Sequence, residues 1–333
     1  MPGRSAAATC PERAAEAARR AGCGARRSAV RGARRGRRSR CSCASHATSV
    51  AALIASNRRR RCSQPSPQPG LRREEAAVLA GVSTEWYTRL EKGRISGVSE
   101  DVLDAVAKVL QLDEDERTYL FDLARAARPA RRTPPRRKDA AVPPSIQWTL
   151  DSMTLASAFV RNGRLDIVAH NALARALHAP MFDSHTTAKD GRPNFARYFF
   201  LGPGSQDVFV DREAGVIATA ALLRAEAGRE PYDRSLRELV GELSTLSSEF
   251  RAMWAAYDVR IRHEGVKQLR HPEVGRLELS YRSLDLPLSR GAVHDLTIYT
   301  AEPGTLAEDR LKLLADWAAT RPPATEPTRH KSR

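Results

Sequence analysis

The sequence predicts a multidomain chain: an all-α five-helix domain, then an α+β domain, both behind a segment that does not fold. Three observations carry this. Short helical patterns punctuated by Gly and Ser run from residue 48 to residue 127. A Pro- and Arg-rich stretch, residues 128–144, interrupts them. Beyond it come two strand-like runs, several helices and three more strand-like runs, an α+β order. The boundaries read as a disordered segment 1–47, domains 48–127 and 145–320, a linker 128–144 and a disordered tail 321–333. A length of 333 residues suits about two domains.

Charge separates one end from the rest. The formal charge is +16, yet residues 1–61 hold sixteen arginines against Glu12 and Glu16, which leaves only +2 for the remainder. All five cysteines (Cys10, Cys23, Cys41, Cys43, Cys62) lie at or before residue 62, and no Phe, Trp or Tyr precedes Trp86. A uniformly basic, histone-like protein is excluded, and so is a disulfide framework for the body. No apolar run approaches the ~20 residues that cross a bilayer, so no membrane partner is expected. Residues 1–47 carry almost no large apolar side chain and cannot offset their ordering entropy by burial. Three readings compete for them: a basic arm for nucleic acid, a targeting peptide, or upstream sequence translated from a wrong start. The composition favours the last.

The folded region opens with Val50, Leu53 and Ile54 before a basic run, Arg58–Arg61, which reads as a short first helix. Pro65, Pro67, Pro69 and Gly70 then separate it from LRREEAAVLAGVSTEWYTRLEKGR, residues 71–94. Ala76–Ala80 fit one helix, which Gly81 can stop by taking φ > 0. Ser83 is a good N-cap for a second helix, Thr84–Lys92, ended by Gly93. Two short helices joined by Gly-Val-Ser make a helix-turn-helix pattern. Ala77 is small where the helices cross, and Val82, Tyr87 and Leu90 face the core. Ser83, Thr84, Glu85, Trp86, Thr88 and Arg89 remain on the side that enters a major groove in this motif. Arg89 suits guanine, and Thr84 suits a thymine methyl or a base edge. Arg72, Arg73, Lys92 and Arg94 suit phosphates.

Two further helices complete the domain. Ser99 is placed to cap one, whose face carries Val102, Val106 and Leu110. Asp113 and Glu116 stand at capping-box spacing for the next, lined by Leu120, Leu123, Ala124 and Ala127. Residues 64–127 hold eight basic and twelve acidic residues, so DNA binding requires that the two signs sit on different faces.

These residues carry a family resemblance. LRREEAAVLAGVSTEWYTRLEKG and SEDVLDAVAKVLQLDEDERTYLFDLARAA resemble the MmyB-like branch of the xenobiotic-response-element type transcription regulators of bacteria. The likeness continues in RELVGELSTLSSEFRAMWAAYDVR (237–260), KQLRHPEVGRLELSYRSLDLP (267–287) and LTIYTAEPG (296–304). The resemblance spans roughly residues 49–319. It implies a lambda-repressor-like helix-turn-helix domain and a C-terminal PAS-like ligand-binding domain. It also implies a fatty-acid-like or other small apolar effector. Residues 1–47 have no counterpart in it, and the first helix matches only loosely, in VAALIASNRRRR.

The linker carries Pro129, Pro134, Pro135, Pro143 and Pro144, which bar a continuous helix. Its cations, Arg128 to Lys138, suit either solvent or a DNA backbone. In the second domain, Ser145–Ser152 reads as a helix. Ala158–Arg161 and Arg164–His170 read as a hairpin turned by Asn162-Gly163. Helices follow near 171–177, 194–201, 214–227 (ended by Gly228), 233–243 and 248–257. Strands return at 266–270, 276–286 and 295–301, before a closing helix at 306–319.

A small ligand could lie between sheet and helices. The large residues placed to line it are Phe159, Phe199, Leu222, Phe250, Trp254, Tyr281 and Tyr299, with core packing as the plainer role. His271 is a candidate for a ligand head group, or for a backbone bond at a hairpin end. No nucleophile motif, metal-binding spacing or phosphate-binding glycine loop occurs, so neither an enzyme nor a cofactor nor a metal is expected. The expectation is a cytoplasmic regulator that binds double-stranded DNA as a homodimer. The alternatives are a module that binds a protein, such as a sigma factor or antitoxin partner, and a PAS sensor holding a cofactor.

Overall fold

Glycine and serine set the geometry of the first domain. Helix α1 (Arg73–Leu79) meets α2 (Thr84–Glu91) through a turn that places Gly81 at φ +67°, where a Cβ would be strained. The Ser83 hydroxyl accepts from the Trp86 N–H at 3.1 Å and so satisfies one orphan donor of α2. Ser99 is the N-cap residue of α3 (Glu100–Leu110), but its side chain makes no capping bond there. Glu100 and Asp101 face the positive end of that helix instead. Helix α4 (Glu114–Ala127) begins with the reciprocal bonds of a capping box. The Asp113 N–H donates to Glu116 at 3.1 Å and the Glu116 N–H to Asp113 at 2.9 Å. Ala77, Tyr87, Leu90, Leu103, Val106, Leu110, Leu120 and Leu123 share one core.

A computed structural model of the chain describes residues 53, 71–95, 97–127, 142–186, 192–256, 259, 261–288 and 293–320. Segment 1–47, tail 321–333 and most of linker 128–144 lie outside the described residues. So does most of the first helix expected from residue 50; its one described residue, Leu53, is helical and buried in the first core.

The second domain starts with α5 (Pro144–Ser152), then β1 (Ser157–Arg161) and β2 (Ile167–His170). Asn162-Gly163 does not make a two-residue turn. The Asn162 side-chain oxygen accepts from the N–H groups of Arg164 and Asp166, and buried Leu165 takes the positive φ, +67°. That wider loop delays β2 to Ile167. Six helices follow: α6 (Ala172–Leu177), α7 (Ala179–Phe182), α8 (Phe195–Leu201), α9 (Ser205–Val208), α10 (Arg212–Arg229) and α11 (Arg234–Leu246). Then come α12 (Ser248–Ala256), β3 (Glu264–His271), β4 (Gly275–Pro287), β5 (Val293–Thr300) and α13 (Leu306–Thr320). The single-turn α7 and α9 have no sequence period and escaped the reading. Gly228 does not end α10, because the helix runs one residue past it.

The five strands form one antiparallel sheet in the order β2-β1-β5-β4-β3. Register sorts its two faces. Phe159 pairs with Thr297, Tyr281 with Tyr299 and Leu269 with Leu277, all toward the helices. There they join Leu177, Phe199, Val216, Leu223, Phe250 and Leu314 in the main core. The alternate residues of β1, Ala158 and Val160, lie on the opposite face with Leu150 of α5.

Candidate nucleic-acid interface and ligand-binding face

Helix α2 is anchored from one side and open on the other. Tyr87 and Leu90 are fully buried, and Trp86 is half-buried against the same core. The exposed side presents Thr84, Glu85 and Arg89, followed by Lys92 and Arg94, with Arg72 exposed at the start of α1. Other expected contact residues are engaged within the domain. The Arg73 guanidinium pairs with Glu91 at 2.7 Å and ties α1 to α2. Ser83 spends its oxygen on the cap, and the Thr88 hydroxyl donates to the Thr84 carbonyl at 2.8 Å.

The acidic excess of the domain lies elsewhere. Arg117 pairs with Asp104 at 2.7 Å and with Glu114 at 3.2 Å, and Arg125 pairs with Asp122 at 2.6 Å, all on α3 and α4. These pairs hold acids and bases together away from α2. The cations at the end of α2 therefore set the local sign there.

In the second domain, seven of the eight expected ligand-lining residues belong to the main core or pack against it. They fall into three groups. Phe159, Tyr281 and Tyr299 lie across the sheet, with Tyr299 6.1 Å from Phe159 and 5.9 Å from Tyr281 between ring centroids. Phe250 stacks on Trp254 at 5.4 Å, next to the helix that carries Leu222. Phe199 lies against Phe209 at 4.5 Å. Beside the sheet group stands a polar row. Arg161 pairs with Asp295 at 3.1 Å, Ser283 and Thr297 share a hydrogen bond at 3.0 Å, and Lys267 lies over the Tyr281 ring at 5.4 Å.

His271 stands apart. Its Nδ1 accepts from the Glu273 N–H at 3.2 Å, so its Nε2 carries the proton and donates to the Ala176 carbonyl at 3.0 Å. Both ring nitrogens serve the backbone, which rules against the head-group role and matches the hairpin-end alternative. A cavity of about 400 Å³ does open beside it, lined by Ala179, Pro180, Asp183, Glu273 and Trp317 as well. It lies outside the aromatic groups.

The sequence reading missed His178. It is fully enclosed, with ring centroids 5.5 Å from Phe159, 5.5 Å from Phe195 and 5.7 Å from Tyr299, all edge-on. The one signal was its spacing, four residues after Ala174, in line with the apolar stripe of α6 that it caps. Among the described residues, no cluster of three metal-ligating side chains occurs and no helix is long and apolar enough to cross a membrane.

Comparison with known families identifies both halves. Residues 142–314 match the MmyB-like transcription regulator ligand binding domain. The chain belongs to the MmyB-like transcription regulators. Residues 34–120 match a helix-turn-helix domain, so the match begins inside the segment that composition sets apart as 1–47. A comparison with curated proteins finds no match. An MmyB-like regulator with these two domains is a DNA-binding transcription regulator with a C-terminal ligand-binding domain.

His178 yields a pH dependence. Burial, with a smaller push from His271, lowers its imidazole to about 3. In the unfolded chain it titrates near 6.5. Below about 6.5 the unfolded state therefore takes a proton that the folded state refuses. The stabilisation is complete above that value and is lost as pH falls toward 3, by up to about 1.4 kcal/mol per pH unit. Urea unfolding at pH 7 and pH 5 should show this loss, and His178→Phe should flatten it. An equal pH slope in both proteins would place the titration elsewhere.

Proposed function

We propose that this regulator reads DNA sequence with the exposed side of α2. In this reading Thr84, Glu85 and Arg89 meet base edges in a major groove. Arg72, Lys92 and Arg94 meet phosphates and set the register. The observation that carries it is the split of α2 into a face locked by Tyr87 and Leu90 and a face left open with Arg89 on it. Arg73, Ser83, Trp86 and Thr88 act by holding that helix in place. The protein acts as a homodimer on two half-sites, since such modules read sites about one helical turn apart. It works in the cytoplasm, where the DNA is, and binds rather than catalyses.

The second domain in this reading is PAS-like and takes a small apolar effector, fatty-acid-like in character, between sheet and helices. The aromatic groups on Phe159, Tyr299, Phe250 and Trp254 support an apolar body for it. The row containing Arg161, Ser283 and Lys267 supports a polar end.

Selection from random duplex DNA tests the first half. A defined sequence should be enriched, and Arg89→Ala should cost about 1–3 kcal/mol at one base pair of it. Equal weakening on all sequences would make Arg89 a phosphate contact. Failure to enrich any sequence would favour a protein partner for the bundle. Native mass spectrometry of the purified protein tests the second half. An apolar molecule of stoichiometric mass that is lost on denaturation is the expected result. A bare protein that still binds its DNA would turn the second domain into a dimerisation scaffold.

A further inference from the structure

Two elements of the ligand-binding domain reach into the DNA-binding domain. Helix α10 packs along α4, and Gly228 permits the approach. A Cβ built on Gly228 would fall 2.7 Å from Cδ2 of Tyr119 and closer still to Cε2. Tyr119 is only 4% exposed and belongs to the first core, so its ring has little room to retreat. A glycine near the end of a long helix weakens that helix relative to alanine, and here it is matched by an aromatic ring seated on the backbone. The second element is Val259, between α12 and β3. It is 1% exposed, and its buried neighbours are those of the first core, not of its own domain. Two residues on, the Ile261 N–H donates to the Asp115 carboxylate of α4 at 2.7 Å. Charge crosses the same seam. Burial raises the Asp122 carboxyl of α4 above its usual range, and Arg125 and then Arg229 of α10 oppose the rise.

Inside the ligand-binding domain α10 is tied to α12, the helix that precedes Val259. Arg224 of α10, 3% exposed, lies over the Trp254 ring of α12 with its guanidinium carbon 4.2 Å from the centroid. It also donates to the Trp254 carbonyl. Trp254 in turn stacks on Phe250, which is fully buried in the main core. Of the residues proposed to line the ligand, Leu222 thus sits on α10, which packs on the DNA-binding domain, and Phe250 and Trp254 sit on α12, which Arg224 ties to α10.

We infer that α10 and Val259, three residues past the end of α12, form one clamp on the helix-turn-helix domain, through Tyr119 over Gly228 and through the burial of Val259 in the first core. This packed seam, rather than the Pro-rich linker, couples ligand occupancy to DNA binding. The coupling rests on the function proposed above; the clamp itself does not. Coupling through such a seam is reciprocal, so DNA bound to one domain must alter the other.

The full chain tests both parts. Gly228→Ala and Gly241→Ala add the same methyl group to a helix, but the added Cβ at Gly241 meets no atom within 4 Å. By scanning calorimetry the wild type and Gly241→Ala should unfold in one transition and Gly228→Ala in two. The DNA-binding domain of Gly228→Ala should melt first, and amides of α4 should exchange at least tenfold faster. Val259→Ala, a change in the ligand-binding half, should also bring forward the melting of the DNA-binding domain. Two transitions in the wild type, one in Gly228→Ala, or no effect of Val259→Ala would overturn the clamp. For the coupling, the DNA selected by the wild type should slow hydrogen exchange at residues 224–229 and around Trp254. Gly228→Ala should keep its DNA affinity within about threefold and lose that distant slowing. Slowing confined to residues 71–127 of the wild type would refute the coupling. If no DNA binds at all, the DNA-binding reading fails while the melting result still decides the clamp.

Discussion

Aromatic rings seated on the two glycines of α10 fix how α8 and the DNA-binding domain pack against it. At one end a Cβ on Gly215 would fall 2.7 Å from Cε1 and Cζ of Phe199, so α8 can lie against α10 only because that residue is glycine. At the other end Gly228 does the same for Tyr119 of α4. Between them Val216, Ala220 and Leu223 are buried in the main core, and Arg224 is buried over Trp254. A helix enclosed on nearly every side has no plain polar face, which suits a central element rather than a surface one. Its two glycines give up helix propensity so that neighbours can approach closely. Helices α8, α11, α12 and α4 of the DNA-binding domain all pack against it.

The electrostatics of the DNA-binding domain follow a similar economy of placement. Its net charge is unfavourable for DNA, yet no strongly basic composition is needed. Arg117 and Arg125 are held by acids on α3 and α4, while Arg89, Lys92 and Arg94 are exposed at the end of α2. Three cations thus stand exposed at and just beyond the end of α2, although acids outnumber bases in the domain as a whole. Arg73 is part of the scaffold of that interface through Glu91, which couples the orientation of α2 to α1.

What was legible in the sequence was local. Gly81, Ser83 and the Asp113–Glu116 pair announce themselves because a turn or a cap needs a particular residue within four positions. Strand periodicity located β1 and β3–β5 to within a few residues, since one face of each is buried. The misreadings share a cause. Gly228 looks like a helix stop, because a glycine that ends a helix and one that admits a distant ring are the same letter. Asn162-Gly163 looks like a tight hairpin, because the sequence does not reveal that the Asn162 side chain will be taken by Arg164 and Asp166. Val259 has no local signature at all, and His178 has only its spacing from Ala174. Their roles come from Tyr299 and from the first core, which meet them only in the folded chain. The same limit hid the seam between the domains, which the Pro-rich linker made easy to overlook.

The seam of Gly228, Tyr119 and Val259 requires the two domains to move as one packed body. Spin labels placed at exposed Lys108 in α3 and exposed Ser280 in β4 would measure it directly, by the dipolar distance distribution between them in the full chain. A single narrow distance, unchanged between dilute buffer and a crowded solution, is the result the packed seam requires. A broad distribution that shifts with crowding would show two domains joined only by residues 128–144, and would contradict it.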